Sequence, residues 1–270
     1  MRRKPANSTR ETALLPADRH RRIVSLVNRE GSVRAVDLAR LFSVTQETIR
    51  LDLEKLEAEG LLLRRHGGAV TLHSPHVETP FSERRVALAE EKTAIAREAL
   101  HEIVEGDTIL LDASSTAWQV ARLLPDMPLT VLTPAIKVVM ELANRRNVHI
   151  ISIGGTLLAP SLSFVGPLAE RSIREYHVDK LFLSCSGLDF TYGLTEAHEW
   201  QAMLKQRMIE HSDRRILLVD HSKFGVRALA NFARLDQFDK VITDDRIDPA
   251  MLKRLRAAGP AVALADVEKE

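Results

Sequence analysis

After residue 110 the chain carries several short segments in which small, hydroxyl-bearing and charged residues collect: Asp112-Ala113-Ser114-Ser115-Thr116, Thr133-Pro134, Gly154-Gly155-Thr156, Ser186-Gly187 and Asp220-His221-Ser222-Lys223. Each directly follows an apolar, β-prone run. Ser115 and Thr116 stand where a helical pattern begins, so their hydroxyls and first-turn N–H groups can hold an anion. Gly154 and Gly155 let the backbone approach a ligand closely. Lys223, with Lys205 from the amphipathic stretch before it, adds positive charge. The chemistry these residues suit is the binding of a phosphate ester or another small anion. Ser, Thr, Gly and Asp are also ordinary turn residues. What favours a pocket is that several such loops converge on one edge of a sheet.

The same segments make a poor catalytic apparatus. Asp112, Asp189 and Glu196 are candidate bases for proton transfer, but none is paired with a matched acid. The ten histidines show no metal-ligand spacing. Neither a nucleophile elbow nor a phosphate-binding lysine loop is present. The expectation is a protein with no catalytic residues, no metal and no cofactor. The rival classes are an isomerase-like enzyme with an accessory front domain, and an architectural DNA protein whose body only oligomerises.

A second set of residues near the start suits a different partner. Gln46, Glu47, Arg50, Leu51 and Glu54 lie off the apolar face formed by Ile49, Leu53 and Leu56 at about 100° per residue. Arg50 can reach guanine O6 and N7 or a phosphate, and Gln46 can pair with adenine. Thr45 can cap this helix by accepting a backbone N–H. Arg64, Arg65 and His66 flank a glycine pair and can contact phosphate or the minor groove. The expected DNA-contacting set is Thr45, Gln46, Glu47, Thr48, Arg50, Arg64, Arg65 and His66.

The elements that position this set follow from periodicity. Residues 19–28 read as a helix with Ile23, Leu26 and Val27 inward, closed by Gly31. Residues 35–42 read as a second helix with Leu38, Leu41 and Phe42 inward, and Val44 sits in the short turn before the third. Leu61-Leu62-Leu63 and Ala69-Val70-Thr71 flank His66-Gly67-Gly68, a hairpin whose glycines permit positive φ. Three helices and a hairpin outline a winged helix-turn-helix.

Beyond a proline-bearing linker, apolar runs predict strands at 108–112, 129–133, 148–153, 180–185, 216–220, 240–243 and 261–265. Helical patterns between them include 91–103, 115–124, 135–143 and 199–211. Such alternation implies a mostly parallel α/β sheet with helices on both faces, binding its ligand beyond the C-terminal strand ends. The predicted organisation is a disordered arm (1–14), a winged helix-turn-helix (15–73), a linker (74–80) and an α/β body (81–270).

Charge supports this division. Residues 1–76 carry 14 Lys and Arg against 9 Asp and Glu, whereas the rest carries 24 against 28. A basic front on a mildly acidic body suits a front that meets a polyanion. No run approaches the roughly 18 apolar residues of a spanning helix, and the polar start lacks the apolar centre of a secretory signal. One cysteine, Cys185, excludes an intrachain disulfide and fits a reducing cytoplasm.

Residues 19–70 resemble the N-terminal signature of the DeoR family of bacterial sugar-metabolism regulators. The matching residues are Val36-Asp37-Leu38-Ala39, the run from Val44 to Leu53, Leu56-Glu57-Ala58-Glu59-Gly60 and Arg64-Arg65-His66-Gly67-Gly68-Ala69. Residues 81–245 resemble the family's sensor domain, whose fold is similar to that of sugar-phosphate isomerases. That match rests on Phe81-Ser82-Glu83-Arg84, Glu91-Lys92, Asp112 to Thr116, Gly154-Gly155, Gly166 and Asp220 to Lys223.

The resemblance implies phosphosugar contact at Asp112, Ser115, Thr116, Gly154, Gly155 and Lys223, to which Ser114, Thr133 and Lys205 are added. It also implies double-stranded operator DNA as partner, a homo-oligomer (dimer or tetramer), and repression relieved by a phosphorylated sugar. The chain departs from the family pattern at Leu51, where a second arginine is usual. Ser114 stands where glycine is usual, and Pro134 where asparagine is usual.

Overall fold

The structure, a computed structural model, describes residues 15–30, 32–59, 61–65, 67–70 and 78–267, and for 28–30, 32, 65 and 70 the backbone alone. The predicted arm, most of the predicted linker, Gly31, His66 and Thr71 lie outside the described residues. The chain divides into two compact units, residues 1–74 and 75–270.

In the first unit, α1 (Pro16–Glu30) begins with proline at its first position, where the missing N–H has no intrahelical role. It buries Ile23 and Val27, with Leu26 only partly covered. A short strand, β1 (Ser32–Arg34), precedes α2 (Ala35–Leu41). Leu38 and Phe42 are buried as expected, but Leu41 is 61% exposed. The correction is geometric: Leu38, Ala39 and Phe42 define the inward stripe, and Leu41 falls about 100° from its centre.

The third helix, α3 (Gln46–Ala58), starts from Thr45, whose side chain accepts the Thr48 N–H at 3.1 Å. Ile49, Leu53 and Leu56 are its core residues. The wing strands β2 (Leu63–Arg65) and β3 (Gly68–Val70) pair antiparallel, and β1 lies on the far side of β3. Gly67 has φ +82°, the conformation the turn requires. Gly68 is glycine for another reason: a Cβ there would lie 2.0 Å from the Val33 carbonyl oxygen of β1.

The second unit opens with α4 (Phe81–Val86) and α5 (Ala89–Leu100). There follow β4 (Thr108–Leu111), α6 (Ser115–Leu123), β5 (Leu129–Thr133), α7 (Ile136–Leu142) and β6 (Val148–Ser152). A small hairpin, β7 (Thr156–Leu158) and β8 (Ser163–Val165), leads to α8 (Pro167–Arg174) and β9 (Val178–Leu183). Then come β10 (Gly187–Asp189), β11 (Gly193–Glu196), α9 (Glu199–Glu210), β12 (Ser212–Leu218) and β13 (Ala230–Ala233). The unit closes with β14 (Lys240–Asp244), α10 (Pro249–Ala257) and β15 (Ala261–Ala265).

Seven strands form one sheet in the order β15-β14-β12-β9-β4-β5-β6, every neighbouring pair parallel. This is the predicted sheet of seven strands. Alternating side chains serve two cores. Ile109, Leu111, Phe182 and Ile216 pack with α5, α6 and α7 on one face, whereas Leu110, Leu181, Leu183 and Leu217 pack with α8, α9 and α10 on the other. The strand predicted at 180–185 spans Val178–Leu183, because Ser184 turns its N–H to the Asp112 side chain. A small antiparallel sheet, β10-β11-β13, is additional to the predicted elements. Among the described residues no helix is long and apolar enough to cross a membrane.

Candidate functional site

In the first unit, α3 presents Gln46, Glu47, Arg50 and Leu51 to solvent. Arg50 is bracketed along the helix. Its Nη2 lies 2.7 Å from Glu47 Oε1 and its Nη1 bonds Glu54 Oε1. Glu54 Oε1 also accepts from Arg64 Nη1 at 2.9 Å, so a recognition-helix carboxylate ties together two predicted DNA contacts. The guanidinium of Arg50 holds Glu47 below the usual carboxylate range.

Thr45 is engaged as the cap, and Thr48 is half-buried with its hydroxyl 2.8 Å from that of Thr45. Arg65 is described only as β2 backbone, and His66 lies outside the described residues.

A residue that sequence reasoning passed over orients this helix. Asp52 is buried and receives Arg19 Nε at 2.6 Å, Arg19 Nη2 at 3.1 Å and His20 Nε2 at 2.8 Å. Burial pushes its carboxyl up, but the Arg19 and His20 hydrogen bonds and charges outweigh burial and leave it below the usual range. This pairing clamps α1 to α3. Asp52 falls between the core positions Ile49, Leu53 and Leu56, so its inward placement was readable from the helical period.

In the second unit, β4 and β9 lie side by side at mid-sheet. From β4 the chain proceeds outward through β5 and β6. From β9 it proceeds the other way through β12, β14 and β15. Strand order reverses here, and open α/β sheets leave a crevice at such a point.

A small cleft lies there. Ser114, Ser115 and Thr116 line one side, and Ser184, Cys185 and Ser186 follow β9 on the other. Lys205 and Lys223, with Asp220, complete what the strand-end loops supply. Segments distant in sequence add Glu78, Arg84 and Lys92 from the start of the unit, and Glu196 and Gln201.

Ser114 caps α6: its Oγ accepts the Ala117 N–H at 3.0 Å. The serine at this glycine position therefore belongs to the helix start. Ser115 and Thr116 occupy the first turn, where backbone N–H groups have no intrahelical acceptor.

Asp112 has no exposed surface. Its Oδ1 accepts Ser114 N–H at 3.0 Å, and its Oδ2 accepts Ser184 N–H at 3.0 Å and lies 2.9 Å from Lys205 Nζ. It joins the two loops from beneath and does not line the cleft. Lys205 also reaches Glu196 Oε1 at 2.5 Å, and Ser186 Oγ donates to Glu196 Oε2 at 2.6 Å. Burial lowers the Lys205 ammonium, but Asp112 and Glu196 outweigh it and raise the group above its ordinary value.

Other predicted residues sit elsewhere. Thr133 Oγ1 donates to the Leu111 carbonyl at 2.8 Å and accepts the Ala135 N–H at 3.1 Å. Gly155, at φ +152°, leaves no room for a side chain, since a Cβ would meet the Val165 carbonyl oxygen at 2.6 Å. Thr133, Gly154 and Gly155 do not line the cleft. Pro134 accepts the Phe164 N–H at 2.9 Å, which ties that strand end to β8.

The cleft's remaining groups have distinct states. Lys92 Nζ donates to the Arg84 carbonyl at 2.7 Å and to the Ala87 carbonyl. Its burial lowers it to about 8. Burial pushes the Cys185 thiol up to about 12, so it is not a nucleophilic thiolate near neutral pH. Gln201 Nε2 donates to Ser161 and Ser163 at 2.9 and 2.8 Å. Among the described residues, His177, Asp179 and Asp213 form a cluster of ligand-type atoms within 4.8 Å of one another. They stand before or at the N-terminal ends of β9 and β12, away from the cleft.

A helix-turn-helix unit joined to an α/β unit with a cleft at its strand-order reversal defines a transcription regulator with a sensor domain. The family models agree. Residues 19–75 match the DeoR-like helix-turn-helix domain and residues 88–245 match the DeoR C terminal sensor domain.

The chain belongs to the DeoR family of transcriptional regulators. It is 51% identical over 242 residues to the uncharacterized HTH-type transcriptional regulator YulB of Bacillus subtilis, covering 90% of this chain and 94% of that one. It is 39% identical over 222 residues to the L-fucose operon activator of Haemophilus influenzae, covering 82% and 89%. A ribose 5-phosphate isomerase A from Methanocaldococcus jannaschii aligns over 49% of this chain and 53% of its own, at 18% identity and TM-score 0.37.

Proposed function

We propose that this regulator represses a carbohydrate-utilisation operon and leaves its operator when a phosphorylated sugar or related metabolite occupies the cleft between β4 and β9. One observation carries the reading: Ser115 and Thr116 at the α6 N-terminus face the same cleft as Arg84, Lys92 and Lys223. A phosphate group matches that combination of hydroxyls, first-turn N–H groups and cations.

Gln46, Glu47 and Arg50 read base edges from the start of α3, while Arg64, Arg65 and His66 hold the backbone or minor groove. Two copies place two such helices in successive major grooves, about 34 Å apart. The protein works in the cytoplasm as a homo-oligomer, with double-stranded operator DNA and the metabolite as its partners. Coupling is reciprocal, so operator DNA weakens effector binding by the same factor that effector weakens DNA binding.

The body is not catalytic in this reading. Both oxygens of Asp112 and both of Glu196 accept hydrogen bonds within the protein, which leaves neither poised as a base. Incubation with sugar phosphates should yield no isomerised product.

Two variants test the division of labour. Arg50→Ala should weaken operator binding and leave sugar-phosphate binding intact, and Lys223→Ala should do the reverse. Loss of both activities in both variants would refute it. A reporter whose expression falls on deletion of the gene would reverse the proposed sign.

A further inference from the structure

Glu78 is the first described residue of the sensor unit, and its carboxyl group lines the effector cleft. Its Oε1 lies 3.5 Å from Arg84 Nη2. Its Oε2 is buried and has no hydrogen-bond partner. A buried carboxylate oxygen left unpaired is costly, and this one belongs to a side chain that lines the cleft assigned to the ligand. The segment after it is firmly held. Phe81 N–H donates to the Pro160 carbonyl at 2.7 Å, the Phe81 ring meets Trp118 edge-on, and Arg84 Nε donates to the Thr79 carbonyl at 3.0 Å. Glu78 is thereby kept at Arg84.

Charge balance gives this position its meaning. Arg84, Lys92, Lys205 and Lys223 line the cleft, and so do Glu78, Glu196 and Asp220, with buried Asp112 on Lys205. Lys205 is matched by Asp112 and Glu196. Asp220 stays ionised despite its burial because Lys223 and Lys92 stand near it. With Glu78 ionised, the cations of the cleft are already offset, and a phosphate dianion meets no net positive charge.

We propose that Glu78 is an internal competitor for the effector: its carboxylate stands at Arg84, and an anionic effector binds by displacing it. The inference rests on the reading of the cleft as the effector site. The charged groups whose fields act on Glu78 are Arg84 on α4, Glu196 on β11, Lys205 on α9 and Asp112 after β4. Burial raises the Glu78 carboxyl, Arg84 opposes this, and Glu196 adds to it. Competition is therefore strongest where Glu78 is ionised and fades as acid neutralises it.

The test is isothermal titration of inorganic phosphate into the full-length parent, Glu78→Gln and Lys223→Ala proteins at several pH values. Glu78→Gln keeps the shape and removes the charge. It should bind phosphate about tenfold tighter than the parent near pH 8, with the gap narrowing toward acid. Equal or weaker binding by Glu78→Gln, while Lys223→Ala still loses affinity, overturns the competitor role and leaves the site standing. If neither substitution alters phosphate affinity, the effector reading itself fails. A melting curve for Glu78→Gln that matches the parent's shows that the readout concerns binding and not folding.

Discussion

Lys205 Nζ lies 2.9 Å from Asp112 Oδ2, and neither side chain is more than 6% exposed. The ammonium also holds Glu196. It therefore joins the carboxylate that follows β4 to the last residue of β11 at the wall of the cleft. Lys205→Met should leave two buried carboxylates without their cation and destabilise the sensor unit by about 3–5 kcal/mol. Trp118 and Trp200, the protein's two tryptophans, both belong to this unit, so urea unfolding followed by fluorescence measures the change. Lys223→Ala, at a half-buried position, should shift the midpoint far less.

Asp52→Asn should loosen the DNA-binding unit alone. The substitution leaves buried Arg19 without its bidentate partner, at a cost of about 2–4 kcal/mol. Limited proteolysis should cut the first unit sooner while the tryptophan-monitored midpoint of the second stays put. Equal destabilisation of both units would contradict the assignment.

Glu54→Gln should raise affinity for non-specific duplex several-fold at about 100 mM salt, because Arg50 and Arg64 both lose a competing carboxylate. Arg64→Ala should do the opposite and flatten the salt slope by roughly one unit. Fluorescence anisotropy with a scrambled duplex across a salt series reads both. An unchanged affinity in Glu54→Gln would mean that these arginines do not meet phosphate.

His221 gives the sensor unit a pH dependence. Its ring lies 2.8 Å from Asp244 Oδ1. Burial lowers the imidazole, but Asp244 and then Asp220 raise it further, leaving it above the ordinary histidine value. A group raised on folding contributes stability that is fully present below its unfolded pKa, about 6.5, and lost as pH climbs through the folded value. Urea midpoints of the parent should thus exceed those of His221→Asn most below that point, with the gap closing at higher pH. A gap of constant size from pH 5 to 9 would show that protonation plays no part.

Gly155→Ala should destabilise the sensor unit, since the new methyl group meets the Val165 carbonyl oxygen and the residue must hold φ +152°. Phosphate affinity measured well below the melting temperature should change little, because Gly155 does not line the cleft. A large loss of phosphate affinity with native stability would restore it to the ligand.

Local order was legible in the residues themselves. The 100° period placed Ile49, Leu53 and Leu56 inward, and the Thr45 cap followed from a hydroxyl ahead of that helix. The parallel sheet followed from seven apolar runs separated by helical patterns. These features arise among neighbours in sequence, where backbone geometry and side-chain period act directly.

Which strand-end residues share a cleft depends on strand order, and strand order is a property of the whole sheet. Because order reverses between β4 and β9, Ser115 and Thr116 face Ser184, Lys205 and Lys223, while Thr133 and Gly155 are engaged in packing further along. Tertiary packing alone brings Glu78, Arg84, Lys92 and Glu196 into that space. Phe81-Ser82-Glu83-Arg84 and Glu91-Lys92 form a recognisable motif, but no local pattern carries the distance from there to the strand ends. Long-range burial also decided the partners of Asp52, since a carboxylate on a helix's apolar face requires a cation from another helix, which here is Arg19.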